Sequence, residues 1–396
     1  MEQISQTDVR ASIGHVYTSF TEAMGFIGRA DEGKVEALAC FGNSDTELYR
    51  TLRSHVKVNG LDLIVTNPDL LKRYPWEIES IFRPMVAKYG DQDTAAAIQR
   101  VLEEVGVELV QNVVDQTGKK KIAFSGGVFA NVKLNLRVFE QVDGLDDIYV
   151  FPAMGDDGNA AGSALLRAQE LGWNLAEFTK SPMPYFGPEF GQDAIKAALD
   201  QKAHLVNAEY VGDEWPERTA QLVYDGNIVA IYHGRMEFGP RALGNRSILT
   251  DPRSLEIKER LNLKVKRRKW FQPLCPSILE SERPRLFAQS YPNKHMTCAF
   301  RLKPEFHKEL PAVTHVDGTA RPQFLEEKDN PKYFRLIREF QKLSGYGVVL
   351  NTSFNMHGRA MVMTPADALQ DFLDCGMDYV VLDGWIVKKK NPTNGG

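Results

Sequence analysis

Two strand–glycine turn–helix units stand back to back between Lys119 and Gly172. In KKIAFSGGV a short apolar run, Ile122–Phe124, breaks at Ser125-Gly126-Gly127. FANVKLNLRVFEQ then reads as a helix and IYVF (Ile148–Phe151) as a strand. MGDDGNAAGSALLRAQELG opens on glycines and acids and continues as a second helix. That layout predicts an α/β fold, with a nucleotide site at the carboxyl ends of the strands. Upstream, Ile98, Leu102, Val105, Leu109 and Val113 recur at helical spacing, which predicts a helix that buries one face.

The polar residues of these turns have two readings each. Ser125, Gly126, Gly127 and Asn131 suit phosphate or ribose, through backbone N–H groups and the Asn amide, or they form only a tight strand-to-helix turn. Asp156 and Asp157 sit where a helix begins, so they cap it and complement its dipole, or one of them binds a metal ion beside phosphate.

The second half is organised around GPRALGNRS, Gly239–Ser247. Arg241 and Arg246 lie in this glycine-flanked loop, Arg253 follows, and Arg235 and Glu237 precede it. A guanidinium matches phosphate and carboxylate oxygens, and glycine lets a backbone approach such a ligand. The loop therefore reads as an oxyanion pocket, or as a surface turn whose arginines pair with nearby acids. A proline-marked linker, Ser181-Pro182-Met183-Pro184, opens this half, and NIVAIYHG (Asn227–Gly234) is a buried strand running into the loop. Lys264, Lys266, Arg267, Arg268 and Lys269 cannot all point one way; Trp270, Phe271, Pro273 and Pro276 place the end of this run against a core, with one or two cations facing inward. HVDGTARPQ brings Arg321 on another glycine turn. GVVLNTSFN (Gly347–Asn355) is a buried strand ending in small polar residues that suit a polar ligand. Asn330-Pro331 and Thr364-Pro365 read as helix starts, and DYVVLDGWIVKK as a strand or hairpin.

Length and charge narrow the partners. With 396 residues two domains are expected, and a net charge of −4 gives no bulk attraction for nucleic acid. The four cysteines, Cys40, Cys275, Cys298 and Cys375, are far apart and read as reduced thiols of a cytoplasmic protein. No apolar run approaches the ~18 residues of a membrane span. MEQISQTDVR lacks a signal-peptide core, and the KKKNPTNGG tail reads as frayed.

SGGVFAN, FPAMGDDGNAAGSAL, GRMEFGPRALGNRSILTDPR, VDGTARPQ and LNTSFN occur in that order, after SIGHVYTSFTEAMGF and EGKVEALACFG. Together, from Ser12 to Val387, they resemble the NodU/CmcH/TobZ family of ATP-dependent O-carbamoyltransferases. The resemblance implies an actin/Hsp70-type (ASKHA) ATPase-like lobe over 1–180 and a YrdC-like α/β domain over 181–396. It implies that carbamoyl phosphate and ATP, with Mg, yield carbamoyl adenylate, and that an acceptor hydroxyl takes the carbamoyl group beside iron or another divalent metal.

Residue by residue, the resemblance assigns substrate gripping to Arg241, Lys266 and Arg321, with Ser353 as a hydrogen-bond donor. Arg246, Asn351 and Asn355 are further candidates for carbamoyl phosphate or ATP, Gly126, Gly127 and Asn131 match the nucleotide loop, and Asp156 matches the metal aspartate. Both substrates are polyanions, so the expected pocket has several cations and no acid competing for them. Departures accompany the match. None of the histidines (His15, His55, His204, His233, His295, His307, His315 and His357) forms the family's His-x-x-x-His pair, and Asp156 alone is too few ligands for a tight metal site. Gln272, Lys269 and Gly358-Arg359-Ala360-Met361-Val362 also differ from the usual family residues. The resemblance thus implies a chain lacking the family's first lobe, with a separate first-lobe polypeptide or a homo-oligomer as partner. A nucleotide-binding regulatory subunit without independent catalysis is the alternative.

Overall fold

The computed structural model describes residues 3–177, 183–266 and 269–390. It divides into two compact units, Met1–Gly158 with Thr297–Ala299, and Asn159–Met296 with Phe300–Gly396. The expected boundary at Ser181, and Arg267 and Arg268 of the basic run, lie outside the described residues.

The first unit contains an antiparallel hairpin, β1 (Val56–Asn59) and β2 (Asp62–Val65), and a parallel pair, β3 (Lys121–Phe124) and β4 (Asp147–Val150). The helix Val132–Gln141 makes the crossover between β3 and β4, as the strand–turn–helix pattern requires. The helix Asp91–Thr117 runs for 27 residues and packs on that crossover helix. Its buried stripe is Ile98, Val101, Leu102 and Val105, then Val110 and Val114. Leu109 and Val113, expected on that face, are only half-buried. A 3.6-residue turn drifts against a fixed spacing, so over a helix this long the buried face passes to the next residue.

The second unit is built on an eight-stranded mixed sheet. Its strands are β5 (Val206–Tyr210), β6 (Val229–Tyr232), β7 (Arg246–Thr250), β8 (Cys275–Leu279), β11 (Gln323–Leu325), β12 (Val348–Ser353), β13 (Tyr379–Leu382) and β14 (Trp385–Lys389). A separate two-stranded ribbon pairs β9 (Phe300–Arg301) with β10 (Thr319–Ala320). The order across the large sheet is β11-β8-β12-β7-β6-β13-β14-β5. The helices Trp215–Tyr224 and Pro331–Ser344 pack against each other and cover one face, burying Val229, Ile231, Leu249, Val349 and Val381 with Trp215, Ile337 and Phe340. Side chains alternate along a strand, so Tyr232 points to the opposite face, where its hydroxyl donates to the Met363 carbonyl at 2.9 Å. The helix Pro365–Asp374 follows there and contacts β6 and β13.

Local chemistry sets these elements. Asn330 accepts from the Tyr333 amide at 3.2 Å with Pro331 as the first helical residue. Thr364 and Asp367 close a reciprocal capping box. The β13–β14 hairpin turns at Asp383 and Gly384, both at positive φ (35° and 105°). One part of the expectation fails: Trp270 is 68% exposed, while Phe271 and Pro276 are buried and hold the end of the basic run. A short π-helical turn, Asn262–Lys266, resolves that run, with Lys264 and Lys269 exposed and Lys266 turned into the protein.

The sheet order matters for function. Register pairs Tyr232 with Arg246, Ser247 with Ser353, Cys275 with Asn351 and Ser277 with Gln323. The end of β6, the start of β7, the end of β12 and the starts of β8 and β11 therefore meet at one end of the sheet.

Candidate functional site

The loop joining β6 to β7 crosses that end of the sheet and carries Gly239–Asn245. It is folded around Glu237, whose Oε1 accepts backbone hydrogen bonds from Leu243 (2.8 Å), Asn245 (2.8 Å) and Arg246 (3.1 Å). Gly244 has φ 110°, and a Cβ there would lie 2.2 Å from the Tyr333 ring, so glycine alone fits. The loop carbonyls are also held. Tyr185 Oη and Gln323 Nε2 donate to Leu243 (2.8 and 2.9 Å), Asn351 Nδ2 donates to Ala242 (3.2 Å), and His233 Nε2 meets the Gly244 carbonyl at 2.8 Å.

This geometry revises two expectations. Backbone amides of Leu243, Asn245 and Arg246 already hold a carboxylate, so they are not available to cradle a phosphate. The loop is also not free of acid, because Glu237 is buried at its centre. Side chains of this loop remain the candidates to meet an anion.

Arg246 is fully buried. Its guanidinium lies 3.7 Å from the Tyr232 ring centroid and donates to the carbonyls of His233 (2.8 Å), Asn245 (3.0 Å) and Gly234 (3.2 Å). The structure thus places Arg246 as a clamp between the two ends of the loop. Arg253 pairs bidentately with Asp251 (3.0 and 2.7 Å), as the surface-turn reading has it. Arg235 is exposed and donates to the Phe186 carbonyl, while Arg241 is half-buried within the pinned loop.

Three of the expected residues are in direct contact. Lys266 Nζ donates to the carbonyl and hydroxyl of Ser353 (the latter at 3.2 Å), and to the carbonyl (3.0 Å) and Oδ1 (2.7 Å) of Asn355. Ser353 Oγ in turn donates to Asn355 Oδ1 at 2.6 Å. Ser353 ends β12 at the sheet end that the Arg241 loop crosses. Arg321 enters β11 at the same end, and its Nε and Nη2 lie 3.1 and 2.8 Å from Cys275 Sγ at the start of β8. Asn351, one strand over, is buried and donates to Ser277 Oγ at 2.9 Å. Arg241, Lys266, Arg321 and Ser353, from four separate stretches of sequence, thus share one end of one sheet. Glu237, Cys275, Gln323 and His233 went unrecognised in the sequence. Only Glu237 left a signal, as an acid lodged beside a cationic loop.

Burial sets the protonation of the groups beneath the loop. Desolvation pushes the His233 imidazole down to about 4, opposed chiefly by Asp383. The ring is therefore neutral near pH 7 and donates from Nε2 to the Gly244 carbonyl. Desolvation also raises the Tyr185 phenol well above its ordinary value, so it stays a donor.

In the first unit the two glycine turns follow the carboxyl ends of the adjacent strands β3 and β4. The Gly126 amide donates to the Met154 carbonyl at 2.7 Å, which ties one turn to the other. Gly126 has φ 117°, and no atom lies within 4 Å of a Cβ built on it or on Gly127, so the space over this turn is open. Asn131 caps the following helix, accepting from Leu134 N at 2.9 Å, and exchanges amide hydrogen bonds with Gln99 (2.8 and 3.0 Å). Asp156 and Asp157 are exposed in the turn Asp156–Gly158. Two neighbouring carboxylates do not by themselves complete a transition-metal ligand set.

The fold and site define a mixed α/β protein with cationic and amide side chains gathered at one sheet end. Residues 2–165 match the carbamoyltransferase N-terminus and residues 220–389 the carbamoyltransferase C-terminus. The chain is 48% identical over 383 residues to an uncharacterised protein of Methanocaldococcus jannaschii, covering 96% of this chain and 62% of that protein. It is 34% identical over 390 residues to Nodulation protein NolO of Bradyrhizobium diazoefficiens, covering 96% of this chain and 69% of NolO. Among solved structures, a double-alanine variant of P. abyssi Sua5 matches at 14% identity and TM-score 0.30, covering 44% of this chain and 48% of that one. Full-length HypF in its phosphate- and nucleotide-bound form matches at 14% identity and TM-score 0.31, covering 45% and 24%. The chain belongs to the carbamoyltransferase family. No helix among the described residues is long and apolar enough to cross a membrane.

Proposed function

We propose that this chain is an ATP-dependent O-carbamoyltransferase, or the large subunit of one, and that its second unit forms carbamoyl adenylate. Carbamoyl phosphate is hydrolysed to carbamate and inorganic phosphate. A carbamate oxygen then attacks the α-phosphorus of ATP, pyrophosphate leaves, and carbamoyl adenylate remains. An acceptor hydroxyl attacks the carbamoyl carbon, AMP leaves, and the hydroxyl proton passes to solvent or a base.

The observation that supports this reading most is the gathering of Lys266, Ser353 and Asn355 at the sheet end that also receives Arg241 and Arg321. Fixed cations stabilise the charge that develops on phosphoryl oxygens, and this chemistry needs no covalent nucleophile. In this reading Arg241, Lys266 and Arg321 grip the anionic substrates, and the Ser353 hydroxyl, whose one proton lies on Asn355 Oδ1, turns from it to donate to substrate. Arg246, Asn351 and Asn355 position the groups that touch substrate. The first unit, with the open turn at Gly126 and Gly127, takes the ATPase-like role of its family, and Asp156 contributes one ligand to a divalent metal. A separate polypeptide or a second copy of the chain is the partner proposed for delivery to the acceptor.

The test is to incubate the purified chain with ATP, Mg and carbamoyl phosphate, and to follow pyrophosphate and carbamoyl adenylate by mass spectrometry. Both products should form, and both should form far more slowly in Arg241→Ala at a fixed carbamoyl phosphate concentration, through a raised KM. Nucleotide binding without either product, with a complementing partner present, would instead indicate a regulatory subunit.

A further inference from the structure

We infer that Glu237 is a positioning residue for the anion site: its buried carboxylate is the template on which Leu243–Arg246 folds, and it fixes where Arg241 emerges. The inference rests on the reading of this sheet end as the anion site.

Amides converging on one oxygen are the geometry of a backbone anion nest. Here the anion is built in. Glu237 Oε1 takes the amides of Leu243, Asn245 and Arg246, while Glu237 itself is 4% exposed and cannot be replaced by solvent. Three donors on a single oxygen demand a full acceptor at one point in space. A side chain shortened or removed at position 237 leaves three buried amides unmet.

The other edge of the same segment is held by neutral donors. Tyr185, Gln323, Asn351 and His233 take the carbonyls of Ala242, Leu243 and Gly244. Peptide groups from Ala242 to Arg246 are therefore pinned on the amide side by one carboxylate and on the carbonyl side by several side chains. Losing a single carbonyl partner removes one bond of several, whereas losing Glu237 releases every amide bond it accepts at once. Arg241 sits immediately before the pinned segment, so its starting position follows from the template. All three amides meet the same carboxylate oxygen, Oε1, so one atom sets the path of the segment that follows Arg241.

The test uses the full chain with Glu237→Ala, Glu237→Gln, Glu237→Asp, Arg241→Ala and the Glu237→Ala/Arg241→Ala double variant. Hydrogen exchange of the peptide covering Arg241–Ser247 is read first, in the absence of substrate. Loss of protection confined to that peptide in Glu237→Ala, with Glu237→Gln near wild type because its amide oxygen still accepts, is the expected result. Unchanged protection in Glu237→Ala overturns the inference whatever the protein catalyses. The KM for carbamoyl phosphate in pyrophosphate release is read second. A misplaced Arg241 should raise it by about a hundred-fold with a smaller change in kcat. The double variant should be no worse than the worse single one, since Glu237 acts through Arg241. Additive losses, or lost protection with an unchanged KM, overturn it. If Arg241→Ala itself leaves KM unchanged, the reading of the site fails rather than the template. Should Glu237→Ala not fold, Glu237→Gln must outperform Glu237→Asp, whose carboxylate is withdrawn by one methylene; the reverse order overturns the inference.

Discussion

Lys266 and Ser353 are separated by 87 residues in sequence, yet the ammonium of one donates to both oxygens of the other. The π-helical turn Asn262–Lys266 delivers the cation and the end of β12 delivers the hydroxyl. Asn355 completes the cage, accepting from Lys266 and from Ser353 Oγ through the same Oδ1. The cation is thereby fixed before any ligand arrives.

The first prediction follows from that cage. Lys266→Ala should lower pyrophosphate release by about a hundred- to a thousand-fold, as expected for a fixed charge at a reacting phosphoryl group. Lys266→Arg should not rescue it, because a planar fork cannot replace a point charge enclosed by acceptors. Ser353→Ala should cost less, since the Ser353 carbonyl and Asn355 still hold the ammonium. Steady-state kinetics of the three variants would check the order.

A second prediction separates two arginines of one motif. Arg246→Met should destabilise the protein by about 2–4 kcal/mol, because it strips donors from three carbonyls in a dry environment. Arg241→Ala should change stability by less than about 1 kcal/mol, while raising the KM for carbamoyl phosphate. Urea unfolding monitored by Trp fluorescence distinguishes them. Equal losses of stability would show that both arginines are structural.

These two arginines also mark the limit of what the sequence could tell. The strands, the caps at Asn330 and Thr364, and the glycine turn at Gly126 follow from local patterns of apolar spacing and backbone chemistry, and they were readable. The burial of Arg246 is not, because Arg241 and Arg246 are both arginines in a glycine-flanked loop. What separates them is register: Arg246 is the first residue of β7, paired with Tyr232, and that pairing buries it. Register is a long-range property. The same holds for Glu237, whose three amide partners are set by how the loop returns, and for Cys275, which meets Arg321 only because β8 and β11 are adjacent. Trp270 departs from its pattern for a related reason: its apolar neighbours suggest burial, and Phe271 and Pro276 are buried while Trp270 is not.

A third prediction concerns acid. His233 is buried against Trp215 (ring centroids 5.0 Å apart), and desolvation lowers its value from 6.5 to about 4. Between those values the unfolded chain binds a proton that the folded one does not. The stabilisation is thus fully present above about 6.5 and is lost as pH falls toward 4. Its share between pH 7 and pH 5 is about 2 kcal/mol. His233→Gln keeps an amide donor for the Gly244 carbonyl and removes the titration. Its unfolding free energy should fall less over that pH interval than that of wild type; parallel pH profiles would refute the assignment.

The fourth prediction tests whether Cys275 orients Arg321. The Arg321 guanidinium places Nε and Nη2 on the buried Sγ, and the cysteine holds its own place through the pairing of β8 with β12. Sulfur is a weak acceptor, so the contact directs the side chain more than it stabilises the fold. Cys275→Ala removes the acceptor and little volume, and stability should drop by no more than about 1 kcal/mol. Arg321 would then sample other rotamers, and the KM for carbamoyl phosphate should rise about ten-fold with kcat nearly preserved. Cys275→Ser restores a small polar acceptor and should recover part of the loss. A matched series with Arg321→Ala decides the matter: if Cys275→Ala still raises KM when Arg321 is already alanine, the cysteine acts on something other than the arginine.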